Sequence, residues 1–249
     1  MTEPLLKAEE LEIRFGGVIA ADDVNIEIFE GGKLAIIGPN GAGKTTFLNI
    51  CTGYVKPSRG HVSFRGRDIT HLSPRQITRL GVARAFQIPQ LFAEHTALEN
   101  LLIAAAARER RWTSFKGLSR IPERDEMEDL LQQVGCGDLA HRRVNELPEG
   151  SRKLIDIAVA LALKPTLLLL DEPTSGVASS EKFQIMDIIA KALDQAHVTT
   201  VFVEHDMMIV KRYADQVAVW NAGQIQLSGT PAAVLEHPDV IRDVIGEET

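Results

Sequence analysis

Residues 38 to 46 read GPNGAGKTT. Gly38, four residues, Gly43, Lys44 and Thr45 have the spacing of a phosphate-binding loop, set between an apolar run, KLAIIG, and a stretch able to form a helix. Its chemistry is specific. Glycines let the backbone curl so that its N–H groups face phosphate oxygens, Lys44 reaches the terminal phosphates, and the Thr45 hydroxyl can bind Mg²⁺. A second stretch, LLLLDEP at 167 to 173, is an apolar strand ending in two adjacent carboxylates. In a phosphate-loop protein Asp171 helps to hold the magnesium and Glu172 can accept a proton from an attacking water. Alone, an acidic strand end is also an ordinary surface feature; downstream of the loop it reads as part of one site.

His205 follows the strand-like run VTTVFVE, the expected neighbour of the strand ending at Asp171, and is placed to contact a terminal phosphate. The other histidines read as structural or solvated. A third stretch, LPEGSRKLIDIAVAL at 147 to 161, combines an apolar helix face (Leu154, Ile157, Ala158, Leu161) with a helix start that holds a carboxylate, Glu149. A helix start is a natural anion site, so a carboxylate there needs a reason.

The elements around these residues follow from periodicity. LEIRF and VNIEIFE alternate apolar and polar positions, and KLAIIG is a nearly continuous apolar strand. Residues 95 to 163 read as helical, interrupted around WTSFKGLSRIP by Gly117 and Pro122. From 166 onward the pattern is strand, helix, strand; in the helix SEKFQIMDIIAKAL, Phe183, Met186, Ile189, Ala190 and Leu193 fall on one face. Alternating strands and helices predict an α/β fold: a mostly parallel sheet with a helical lobe of about residues 88–165 inserted between core segments 1–87 and 166–249.

Composition bounds the function. The 249-residue chain is 45% hydrophobic and 24% charged, as a globular protein is, and its net charge of −7 gives no reason to expect nucleic acid. Two cysteines, Cys51 and Cys136, suit a reducing compartment. The opening MTEPLLKAEE lacks an apolar signal core, and runs such as LLIAAAA fall short of the ~20 residues that span a bilayer. A cytosolic chain is expected.

The ordered set GPNGAGKTT, Gln87 in RAFQIP, the helix start at 147 to 151, LLLLDEPTSG and EHD resembles an ATP-binding-cassette (ABC) ATPase across essentially the whole chain. IRFGG, CTGYVKPSRGHV, GTPAAVLEHPDVIRDVIGE and the long arm around RERRWTSFKGLSRIP resemble the ATPase subunits of branched-chain amino acid importers, with urea and amide importers close by. The resemblance implies a phosphate-loop NTPase core, an N-terminal antiparallel β subdomain and an inserted helical lobe. It implies ATP and Mg²⁺, held by Gly38, Pro39, Asn40, Gly41, Ala42, Gly43, Lys44, Thr45 and Thr46, with Thr45, Gln87 and Asp171 at the metal. Glu172, His205 and Gln87 would serve the chemistry, and Phe15 would lie against adenine, although a strand-end core aromatic fits that position equally well. Partners would be transmembrane permease subunits, a second cassette and, indirectly, a solute-binding protein, at the cytoplasmic face of the inner membrane. IPQLFAEHTALEN would face the membrane-spanning partner. Arg108, Arg110, Arg111, Trp112 and Phe115 would form either a lipid- or partner-facing cluster or a solvated helix end.

Two departures from the family pattern stand out. The usual Leu-Ser-Gly-Gly-Gln is here Leu147, Pro148, Glu149, Gly150 and Ser151, and Ala178 replaces the aspartate that ends the loop after the Asp-Glu pair. Both changes would act on the nucleotide held by an opposing cassette; the residues acting on this chain's own nucleotide are intact. Two like charges about 4 Å apart repel by roughly 4 kcal/mol near a protein surface, so Glu149 is expected to turn away or to cap its own helix. A soluble ATP-driven clamp, as in DNA-repair or ribosome-acting cassettes, is the alternative. The single phosphate loop and the lack of sustained heptads weigh against it.

Overall fold

The computed structural model describes residues 3–109, 122–242 and 246. In chain order the elements are β1 (Leu6–Phe15), β2 (Val18–Ile28), β3 (Lys33–Ile37), α1 (Lys44–Cys51), β4 (Arg59–Phe64), β5 (Arg67–Asp68), α2 (Pro74–Leu80) and β6 (Val82–Ala85). Then come α3 (Ala97–Arg108), α4 (Arg124–Gln133), α5 (Glu149–Ala162), β7 (Leu167–Asp171), α6 (Lys182–Gln195) and β8 (Thr199–Val203). The chain closes with α7 (Met207–Tyr213), β9 (Gln216–Asn221), β10 (Gln224–Gly229), α8 (Pro231–Leu235) and α9 (Pro238–Val240). They form two compact units. One gathers Met1–Leu80, Leu169–Glu172 and Thr199–Thr249; the other gathers Gly81–Leu168 and Pro173–Val198.

The first unit carries the sheets expected from the sequence. An antiparallel sheet runs in the order β2-β1-β4-β5, and five neighbouring strands of a six-stranded second sheet run in the order β10-β9-β3-β8-β7. β3 pairs in parallel with β8 and β9, and β10 closes the edge antiparallel to β9. The central strands are continuous apolar runs because both of their faces are covered: all five residues of β7 and of β8 are buried. β10, at the edge, never buries a residue fully.

The second unit is chiefly helical. α3 begins with a capping box, in which Thr96 Oγ1 accepts from the Glu99 N–H and the Glu99 carboxylate accepts from the Thr96 N–H. One turn later the buried Asn100 clamps Phe92, accepting from its N–H at 2.8 Å and donating to its carbonyl at 3.2 Å. Two helix faces differ from the periodic reading. In α6 the buried set is Ile185, Met186, Ile189, Ala192 and Leu193, so the face is centred away from Phe183 and Ala190. In α5 the expected Leu154, Ile157, Ala158 and Leu161 are buried, but so are Lys153, Ile155 and Asp156. α5 is packed by α3, α4, α6 and β6. A helix enclosed on several sides buries its polar positions as well, and those must then be satisfied internally.

Asp156 is satisfied by main-chain groups. Its Oδ2 accepts from the Phe86 N–H and its Oδ1 from the Gln90 N–H, both at 3.1 Å. Burial pushes its carboxyl up to about 6, against the opposing pull of those two N–H groups and of Lys153. A carboxyl whose folded value is raised stabilises the fold fully below its unfolded value of 3.8, and that contribution is lost as pH rises through 6. The stability of the wild type relative to Asp156→Asn, measured by urea unfolding, should therefore fall by about 2 kcal/mol between pH ~4.5 and ~7 and level off above. A gap that stayed flat, or grew with pH, would refute this origin.

Candidate functional site

Two of the three glycines of the 38–46 loop are required because the loop lies against other backbone. A Cβ on Gly38 would sit 1.8 Å from the Trp220 carbonyl oxygen, and one on Gly43 would sit 1.9 Å from the Ala20 carbonyl oxygen. Gly41, also at positive φ, has nothing within 4 Å of that position and faces open space. The Gly223 N–H donates to the Ala42 carbonyl at 3.1 Å, fastening the turn between β9 and β10 to the loop. Beneath it, the Trp220 ring packs against Phe47 with centroids 5.1 Å apart. Trp220 was not singled out by its sequence context; its only signal was a large aromatic at a strand end.

Lys44 opens α1, and its Nζ donates back to the carbonyls of Gly38 at 2.7 Å and Pro39 at 2.8 Å, spanning the loop. Burial lowers the Lys44 ammonium from its ordinary value, while Glu172 and Asp171 act to raise it. Thr45 Oγ1 donates to Asp171 Oδ1 at 3.3 Å. A hydroxyl and a carboxylate side by side are hard oxygen donors, and a magnesium ion that keeps waters and phosphate oxygens as its remaining ligands asks for little more. Among the described residues no cluster of three or more His, Cys, Asp and Glu could hold a metal by itself.

Parallel pairing brings the second carboxylate to the same strand ends. β8 lies between β3 and β7, and the Glu172 N–H donates to the Val203 carbonyl at 3.1 Å. Glu172 has φ +49, a conformation that costs a non-glycine residue about 1–2 kcal/mol. Its Oε1 lies 3.0 Å from His205 Nε2, which brings these two candidate side chains into contact. Phe15, at the end of β1, is 50% exposed; its ring is not a core ring.

Gln87 and the 147–151 stretch belong to the second unit. Asp156 holds the N–H groups on either side of Gln87, and the buried Lys153 donates to the Gln87 carbonyl at 3.2 Å. Neither residue was anticipated from the sequence, where the only hint was a charged residue inside an apolar run. Past Gln87, Ile88 and Phe92 are 74% and 56% exposed. Pro148, not Glu149, caps α5, and no side chain caps it by a hydrogen bond, so the self-capping expectation for Glu149 does not hold. Its carboxylate has turned to the loop after β7: a Cβ on Gly176 would lie 2.3 Å from Glu149 Oε1. In the same loop Ala178 contributes its carbonyl, which accepts from the Glu181 and Lys182 N–H groups as α6 begins. Of the basic arm, Arg108 is engaged internally with Glu126 and the Ala162 carbonyl. Arg110, Arg111, Trp112 and Phe115 lie outside the described residues.

The loop, the Thr45–Asp171 pair and the Glu172–His205 pair on parallel strand ends define a phosphate-loop NTPase. The sequence model of the ABC transporter family matches residues 21–175, and the chain belongs to that family. The high-affinity branched-chain amino acid transport ATP-binding proteins LivG of Salmonella typhimurium and BraF of Pseudomonas aeruginosa are each 37% identical to it, over 99% of this chain. The alignment with LivG spans 100% of that protein. Among solved structures, the ADP conformation of an ATP-binding cassette of an ABC transporter superposes with TM-score 0.85 at 32% identity, covering 98% of this chain and all of that one. CbiO1 of Clostridium perfringens, part of an ABC transporter complex, superposes with TM-score 0.81 at 30% identity over 98% of this chain.

The glycine positions make a graded test. Gly43→Ala drives a Cβ into backbone and should leave little folded, nucleotide-binding protein. Gly41→Ala meets no atom and should cost only the positive-φ penalty of about 1–2 kcal/mol. Thermal melting of the two variants checks this; equal melting points would contradict the packing account.

Proposed function

We propose that the chain is the ATP-hydrolysing subunit of an importer for branched-chain or related amino acids. The observation that carries this reading is similarity to LivG along almost the whole of both chains. In the proposed assembly, permease subunits span the membrane and a second cassette completes the ATP sites. A solute-binding protein acts on the far side, and this chain sits at the cytoplasmic face of the inner membrane. Among its described residues no helix is long and apolar enough to cross a membrane, which fits attachment through partners.

The side chains take the following roles. Phe15 offers a flat ring to adenine, and residues Gly38 to Thr46 wrap the phosphates, with the Lys44 ammonium at the terminal ones. Thr45, Asp171 and Gln87 would hold Mg²⁺, which when bound draws charge off the transferring phosphoryl group. Glu172 takes the proton of the attacking water. His205, 3.0 Å from the Glu172 carboxylate, orients it and contacts the terminal phosphate. Glu172→Gln should keep ATP binding and lower kcat by about 10²–10⁴-fold, whereas Lys44→Ala should lose the binding itself. Undiminished turnover by Glu172→Gln in the assembled complex would remove Glu172 as the base.

The 148–149 and 178 positions support a mixed pair of cassettes. A partner's terminal phosphate would meet Pro148, which has no hydroxyl, and Glu149, whose charge repels it. This chain's own nucleotide would meet the partner's signature. One competent and one weak site result. Glu172→Gln in this chain should therefore depress transport more than the matching change in the second cassette. The double change Pro148→Ser and Glu149→Gly should raise hydrolysis by the isolated chain. Equal damage from the two glutamine variants would contradict the asymmetry.

A further inference from the structure

The buried polar groups of α5 are not needed to form a helix, and well-packed apolar residues often serve such buried positions as well or better. Asp156 and Lys153 lie three residues apart on one face, and both are almost fully enclosed. Three of their contacts go to the main chain of one short segment. Asp156 Oδ2 accepts from Phe86, Lys153 Nζ donates to Gln87, and Asp156 Oδ1 accepts from Gln90. The segment leaves β6 and has no strand or helix of its own to fix it. Its main-chain course around Gln87 is therefore set by a carboxylate and an ammonium on a rigid helix. The first turn of that same helix carries Glu149, Gly150 and Ser151, about 10 Å along the axis from Asp156.

We propose that Asp156 is a positioning residue for ATP hydrolysis: it fixes the Gln87 peptide, and so the Gln87 side chain, in register with the helix that begins at Glu149. This rests on the reading of Gln87 as a residue of the hydrolytic site. The carboxylate is suited to the task because two oxygens on one rigid plane can each take an N–H, which neither an amide nor a hydroxyl can do. A shift of α5 along its axis carries the Gln87 peptide with it. The residues assigned to hold the ATP phosphates belong to the other unit, so loss of this clamp should affect the chemical step and leave binding largely alone.

The test is a double-mutant cycle in the full chain, assembled with its partners, with steady-state hydrolysis and ATP binding both measured. Asp156→Asn keeps the shape but turns an N–H donor towards one of the two N–H groups. It should lower kcat by about ten- to a hundredfold, as small misplacements of catalytic groups do. KM for ATP should stay within about twofold, since ground-state binding is untouched. In a Gln87→Ala background the same substitution should cost nothing further, because the group it positions is gone. Asp156→Glu retains both acceptors and should recover part of the loss; it also serves as the test variant if Asp156→Asn fails to fold. Equal losses of kcat with and without Gln87, or a rise in KM matching the fall in kcat, would overturn the role of Asp156. Gln87→Ala with wild-type turnover would instead overturn the role of Gln87, and the proposal with it.

Discussion

A loop that binds phosphate with its backbone must leave its N–H groups uncovered, so it has to be held from behind. In this chain the support is other backbone, approached more closely than any side chain would allow. Gly38 lies on the Trp220 carbonyl and Gly43 on the Ala20 carbonyl. The constraint reaches outward from there. β9 must run beside β3 to bring Trp220 under the loop, and the end of β9 must turn at Gly223 to tie its N–H to Ala42. Among the described residues the buried Trp220 indole N–H has no hydrogen-bond partner. The fold tolerates it in order to place a flat ring beneath the loop and against Phe47.

Once β3 is fixed, parallel pairing determines where the chemistry goes. Adjacent parallel strands end at the same edge, so the loop after β3, the carboxylates after β7 and the histidine after β8 converge. Strain gathers at that edge. Glu172 adopts a positive φ, and its own N–H is held by Val203, while its carboxylate meets His205. A charged side chain held in an uncommon backbone conformation by a neighbouring strand is aimed rather than merely tolerated.

The parts of the site that were legible in the sequence are those with a local pattern. The loop spacing, the Asp171–Glu172 pair and His205 all follow strand-like runs, and such runs can be recognised without knowing what packs on them. What escaped reading depends on enclosure. Periodicity assigns one buried face to a helix, so it found Leu154, Ile157, Ala158 and Leu161 but gave no sign that Lys153 and Asp156 are buried as well. In α6 it placed the face off, because the buried residues Ile185, Met186, Ile189, Ala192 and Leu193 centre roughly 100° of helix rotation from Phe183 and Ala190. Arg108 read as part of an exposed basic arm, although Glu126 and a helix-end carbonyl hold it. Glu149 shows the same limit in reverse. Its charge was legible, but its partner loop at Gly176 is distant in sequence, and only the fold brings the two together.

The account rests on the 38–46 loop being a phosphate cradle whose lysine is on call. A structure of the Glu172→Gln chain with ATP and Mg²⁺ tests it most directly. The account predicts the terminal phosphate within the loop, with Lys44 Nζ withdrawn from the Gly38 and Pro39 carbonyls to about 3 Å from a phosphate oxygen. Nucleotide bound elsewhere, or Lys44 still held by those carbonyls, would contradict it.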